Sequence, residues 1–293
     1  ILHEILDLIP PHDAAHGFVP GRSIATNASP HVGAAIVVNM DLQDFFPSIG
    51  YPRVKGLFRA LGYPEAVATI FALLATEPET EEVELDGQRL HVATGPRRLP
   101  QGAPCSPAIT NILCRRLDRR LAGLAAAEGC AYTRYADDLT FSTLDAGAKI
   151  GRVLRAARGI VAHEGLTVHP QKTKVLRRYA RQEVTGLVVN QRLSVPRTSL
   201  RNFRATLRQV ELDGPAGKRW GRGPDVLQNM RGFAEFVRMV DKAKGEPLVA
   251  RVAAVMARVG YQPPPRRAWA GKAVAAAPAA IPAADGNVER WWT

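Results

Sequence analysis

The β-branched apolar run from Ala34 to Met40, bounded by Gly33 and Asp41, predicts a buried strand that delivers Asp41 at its end. Before it, Ile1, Leu2, Ile5, Leu6, Leu8 and Ile9 recur at helical spacing and predict a short helix over residues 1 to 9. Pro10-Pro11 ends that helix, because proline removes a donor and clashes with the preceding turn. His16 to Ser23 reads as loop, with another short helix beginning near Ser23. Pro64 to Thr76 reads as helix, and Asp86-Gly87 between apolar runs signals a hairpin turn. Ser106-Pro107 predicts a helix start, with a serine N-cap and proline at the first helical position. Ile109, Ile112, Leu113, Leu117, Leu121 and Leu124 then form a single buried stripe that Gly129 ends.

From Tyr132 to Phe141 two β-rich runs fold about a tight turn, which places Asp137 and Asp138 at a hairpin tip. A helix over about 146 to 164, with Ile150, Val153, Leu154, Ala157 and Val161 apolar, completes an α/β fold. Leu200, Phe203, Leu207 and Val210 mark a later helix, and 224 to 260 reads as further helices. The Pro/Ala-rich stretch beyond Gly260 buries too little to order itself. The opening on Ile1, already inside an apolar helical pattern, reads as an interior point of a longer chain with N-terminal residues missing.

At 293 residues with 46% hydrophobic content, the chain is ample for a buried core. Its net charge of +12 points to a polyanionic partner, nucleic acid first and membrane surface second. The charge is local. From Lys172 to Arg222 there are thirteen Lys or Arg against three acids, and Arg201, Arg204 and Arg208 run beside the apolar stripe of their helix. No apolar run reaches 18 residues, so nothing spans a bilayer, and of the two polyanions nucleic acid, not membrane, is the partner expected. Cys105, Cys114 and Cys130 lack metal-type spacing and read as reduced core thiols of a cytoplasmic protein.

The candidate chemistry lies in four strings: Met40-Asp41-Leu42-Gln43-Asp44-Phe45-Phe46, Leu99-Pro100-Gln101-Gly102, Ser106-Pro107 and Tyr135-Ala136-Asp137-Asp138. Two carboxylate clusters beside β elements are what a site needs to hold two magnesium ions against a nucleoside triphosphate. Magnesium takes one or two carboxylates and leaves its other octahedral positions to water and phosphate oxygens. A pair of such ions serves an in-line phosphoryl displacement, with manganese as a substitute.

In this order the strings resemble the palm motifs of reverse transcriptases. Asn27-Ala28-Ser29-Pro30-His31 and Val184-Thr185-Gly186 further resemble signatures of the retron type. The resemblance runs from about Gly17 to Asn190 and more loosely to about residue 260. It implies a right-hand fingers, palm and thumb polymerase with an α+β palm, an antiparallel sheet and a mainly helical thumb. Fingers and palm would occupy 1–192, a basic thumb 193–262 and a disordered tail 263–293.

It also implies a catalytic set of Asp41, Asp137 and Asp138, a metal site of Asp41, Leu42, Asp137 and Asp138, and a deoxynucleotide site of Arg22, Asp44, Phe45, Phe46, Gln101 and Lys172. Phe46 matches the aromatic that excludes a 2′-hydroxyl. Phe45 fits a core position better, because adjacent strand residues face opposite ways. Gln101 matches the glutamine against the ribose, and Lys172 a lysine near the triphosphate. Arg22 serves the same task or is an ordinary surface arginine.

RNA contacts are expected from Arg201, Arg204 and Arg208, and from Arg177, Arg178 and Arg181. The implied partners are a structured non-coding RNA that serves as template and primer, its DNA product, deoxynucleoside triphosphates and an effector protein in anti-phage defence. Two rival readings remain: a reverse transcriptase of the group II intron type, and a non-catalytic RNA-binding module.

Overall fold

The computed structural model describes residues 1–262 except Asp86, so the Pro/Ala-rich stretch lies outside the described residues. The main sheet is antiparallel throughout. Its strands are β1 (Ile36–Asp41), β4 (Ala131–Tyr135), β5 (Asp138–Thr143) and β6 (Lys174–Arg177), in the order β4-β5-β1-β6. A second pair, β2 (Thr80–Leu85) and β3 (Gln88–Ala93), forms the exposed hairpin that Asp86-Gly87 predicts. A third, β7 (Glu183–Val184) and β8 (Leu187–Val188), is a short hairpin.

β1 is apolar on both faces because it separates two cores. Ile36, Val38 and Met40 pack with α5 (Arg115–Ala127) and α6 (Ile150–His163), while Val37 joins the core of α7 (Arg197–Asp213), α8 (Val226–Val240) and α9 (Lys242–Arg258). Alternation then turns Asp41 to the Val37 side, away from Met40. A third core gathers α2 (Tyr51–Ala60), α3 (Glu65–Ala75) and α4 (Ser106–Leu113). The sequence pattern did not single out α2.

Three expectations are corrected. Residues 1 to 9 hold only a 3-10 turn at Leu6–Leu8, because Pro10-Pro11 follows too closely for a longer helix to gain its hydrogen bonds. Ser106 is the first residue of α4 rather than its cap, and its hydroxyl donates to the Pro100 carbonyl at 2.8 Å. The single helix expected from Ser106 to Gly129 divides at Cys114 into α4 and α5. Its stripe divides too, sending Ile109, Ile112 and Leu113 to the third core and Leu117 and Leu121 to the sheet. The helix near Ser23 is α1 (Ile24–Ala28), with Ser23 and Thr26 in a capping box. All three cysteines are free, and burial pushes the Cys114 thiol up to about 11.

Candidate active site

β1 and β5 pair in a register that sets Asp41 opposite Asp138. Asp137 lies beside them in the two-residue turn Ala136-Asp137, where Ala136 takes φ 56°. The Leu42 amide donates to the Asp137 carbonyl at 3.0 Å, which ties the turn to the end of β1. Directly opposed carboxylates repel. Burial first, then the charges of Asp137 and Asp41, raise the Asp138 pKa to about 6, partly offset by Lys172. Burial also raises Asp137.

Lys172 arrives from the loop before β6 and donates to both carboxylate oxygens of Asp41, at 3.0 and 3.2 Å. That hydrogen bond raises the Lys172 pKa. A cavity of about 260 Å³ opens here, lined among others by Asp41, Asp138, Lys172, Lys174, Glu183 and Thr185. Among the described residues no three His, Cys, Asp or Glu side chains form a ready metal cage. The donor chemistry nevertheless suits a hard divalent ion. The carboxylates offer only oxygen, the donor atom that a hard divalent ion prefers.

Beneath the hairpin tip lies a network that the motifs gave no sign of. Arg134 and Asp118 are both fully buried, with Nε and Nη2 donating to the two carboxylate oxygens at 2.7 Å each. Nη1 of Arg134 reaches the Ala136 carbonyl and Asn111 Oδ1 at 3.1 Å each, and the Tyr132 hydroxyl donates to Asp118 at 2.9 Å. Burial disfavours charge on Arg134, and the Asp118 carboxylate together with Cys114 and Tyr132 more than offsets this, so its pKa stands above the ordinary value. A charged residue flanking a motif, placed on the inward face of a predicted strand, was the available signal.

The remaining expected residues divide. Phe45 is 5% exposed and belongs to the core, so its side chain does not face the cavity. The reason given for that from sequence is corrected, since residues 43–48 form turns rather than strand, with Asp44 at φ 47°. Phe46 is half-buried, with its ring centroid 5.5 Å from that of Phe45 and 6.3 Å from that of Phe18. Gln101 and Gly102 are exposed on the loop after buried Leu99, Gly102 at φ 93°. Neither Gln101 nor Arg22 lines the carboxylate cavity. Arg22 holds the loop before α1, donating to the carbonyls of Asp13 and Ala15 and pairing with the Asp13 carboxylate at 3.3 Å.

The two signature strings meet in space. Asn27 Nδ2 donates to Thr185 Oγ1 at 3.4 Å, and Thr185 in turn donates to the Ile24 carbonyl. Thr185 and Gly186 take φ 46° and 80°, as the tight β7–β8 turn requires, and Val184 is buried. His31 is fully buried between Ser142 Oγ at 2.7 Å and Thr133 Oγ1 at 2.8 Å, which fastens the first signature to the back of β4 and β5. Burial first, then the charge of His16, lowers its pKa to about 4.

A larger cavity of about 1100 Å³ lies between the β7–β8 region and α7, and its basic lining is Arg181, Arg192, Arg197, Arg201, Arg204 and Lys244. Arg208 is outside that lining and stands 4.0 Å from Glu211. Arg177 donates to the Ala146 carbonyl and Arg178 to that of Gly33, so both fasten β6 to its surroundings.

A four-stranded antiparallel sheet carrying opposed aspartates at its open end, with a lysine across them, defines a palm. Residues 2–200 match the family model for reverse transcriptase (RNA-dependent DNA polymerase). The chain belongs to the reverse transcriptase family, and within it to the retron type. It is 46% identical over 267 residues to the Retron Mx162 reverse transcriptase of Myxococcus xanthus, covering 86% of this chain and 54% of that protein. It is also 46% identical over 254 residues to the Retron Mx65 reverse transcriptase of the same organism, covering 86% and 57%. With the Retron Ec86 reverse transcriptase of Escherichia coli it shares 30% over 264 residues, covering 90% of this chain and 74% of that one. The chain thus spans just over half the length of the Myxococcus relatives. Among the described residues no helix is long and apolar enough to cross a membrane.

Proposed function

We propose that the chain carries an RNA-directed DNA polymerase activity that copies part of a cognate structured RNA into DNA. The observation that supports this most directly is the placing of Asp41 opposite Asp138 at the open end of the sheet, with Lys172 held on Asp41. Divalent ions bound there, magnesium by preference and manganese as a substitute, would activate the primer hydroxyl and stabilise the leaving oxygen. Asp41 and Asp137 would hold them, with Asp138 and the backbone at Leu42 completing the site. Lys172 pairs with Asp41 in the free protein and would offset charge developing on pyrophosphate. Phe46 would limit the sugar to deoxyribose, and Gln101 would lie along the ribose.

In this reading residues 1–192 form fingers and palm, and 193–262 the thumb. The basic cavity beside α7 holds RNA phosphates. Retron kinship further supports synthesis from the 2′-hydroxyl of an internal guanosine, giving branched RNA-linked single-stranded DNA. It also supports work in the cytoplasm with an effector protein in anti-phage defence.

Asp137→Asn together with Asp138→Asn should abolish metal-dependent incorporation of labelled deoxynucleotide and leave RNA affinity within about twofold, because the phosphate-binding charge lies elsewhere. Incorporation above background by this double variant would refute the catalytic assignment. A parent chain that binds structured RNA but incorporates no deoxynucleotide would instead favour a non-catalytic RNA-binding module.

A further inference from the structure

Phe18 is a large apolar residue left 55% exposed, and its backbone sits at φ 60°. Both features cost free energy, since the left-handed region crowds a bulky side chain and the exposed ring gains little from burial. The surrounding loop cannot relax to relieve the strain. The His16 amide donates to the Arg134 carbonyl at 2.7 Å, and Asn111 Nδ2 donates to the Gly17 carbonyl at 3.0 Å. Gly17 passes so close to the catalytic turn that a Cβ there would lie 2.5 Å from the Ala136 nitrogen. Phe18 is therefore held rigidly against the element that presents Asp137.

Its ring meets the exposed side of Phe46 at a centroid distance of 6.3 Å and an interplanar angle of 57°, within the range of a favourable aromatic pair. Phe46 is supported from the core side by Phe45. A row of three rings thus runs from the core to the surface, with Phe46 in the middle.

We propose that Phe18 is a specificity-determining residue for the incoming deoxynucleoside triphosphate, closing the sugar site from the loop side and fixing the Phe46 ring where a 2′-hydroxyl would have to fit. This rests on Phe46 being the residue that excludes ribose. Phe46 packs against two of the hydrophobic cores on its inner side. Without Phe18 it loses the ring that closes its outer side, so its own ring is free to tilt outward, and ribonucleotides enter.

The test is single-nucleotide incorporation by the full chain on an oligonucleotide-primed RNA template, comparing kcat/KM for deoxy and ribo substrates, with melting temperature measured beside it. Phe18→Ala and Phe18→Gly should lower the deoxy-to-ribo preference at least tenfold, and Phe18→Tyr should keep it. Adding Phe18→Ala to Phe46→Ala should relax it no further than Phe46→Ala alone. Phe18→Gly should melt no lower than the parent, because glycine accepts the left-handed backbone without strain. If Phe46→Ala relaxes the preference while both Phe18 variants stay within twofold of the parent, the role given to Phe18 is wrong and that of Phe46 stands. If neither position changes the preference, the reading of Phe46 fails and takes this proposal with it. Relaxation in Phe18→Gly accompanied by a melting temperature several degrees lower would mark Phe18 as structural and overturn the proposal.

Discussion

Arg134→Met tests how far the buried network carries the Ala136-Asp137 turn. The substitution keeps an unbranched apolar stem of similar reach and removes the guanidinium, leaving the fully buried Asp118 with the Tyr132 hydroxyl as its remaining side-chain donor among the described residues. Breaking one side of a buried ion pair costs about 3–5 kcal/mol, since the survivor keeps its desolvation penalty and loses its counter-charge. At about 2–4 °C per kcal/mol for a domain this large, the melting temperature should fall by roughly 6–20 °C. Replacing both partners, Asp118→Leu with Arg134→Met, removes both charges and should recover at least about 2 kcal/mol against the sum of the single costs.

The functional effect is separable from the stability effect. Arg134 Nη1 also holds the Ala136 carbonyl, so even the stabilised double variant lacks a hydrogen bond to the turn that carries Asp137. Losing one such bond is worth about 1–1.5 kcal/mol, or roughly a tenfold fall in kcat at a temperature where every variant is folded. Thermal unfolding by circular dichroism and primer extension at 20 °C below the lowest midpoint give the two readings. An Arg134→Met protein that melts within 2 °C of the parent, or a double variant that loses the full sum of the singles, would refute the reasoning.

His31 should make stability depend on pH. Its folded pKa of about 4 lies below the unfolded value near 6.5, so its contribution is complete above pH 6.5 and is lost as pH falls through 4. The whole is worth about 3 kcal/mol, and urea unfolding of His31→Gln should show a correspondingly shallower acid slope. Equal slopes in parent and variant would rule that out. On α7, Arg201→Ala with Arg204→Ala should weaken RNA binding and flatten the plot of log affinity against log salt by about two units, one for each phosphate no longer neutralised. Arg208→Ala, outside the basic cavity, should change the slope little, and anisotropy titrations in which Arg208 carries the whole effect would move the RNA site.

Strand β1, the β4–β5 hairpin and the helix of Leu200, Phe203, Leu207 and Val210 were all legible in the chain, and so were the aspartates and the basic segment. These are local matters. Alternation, helical spacing and turn residues report hydrogen bonding and burial within a dozen residues. The break at Cys114 was not legible, because its cause is the division of one apolar stripe between two cores that the stripe itself does not distinguish. The register that opposes Asp41 and Asp138 is likewise a tertiary fact, since a slip by one residue would turn either side chain to the other face. The same holds for Lys172 on Asp41, Asn27 on Thr185, Arg134 on Asp118 and Phe18 beside Phe46. Each pair joins residues distant in sequence, and no periodicity links them. Only the packing of the loops and helices onto the sheet brings their charges, hydroxyls and rings within reach.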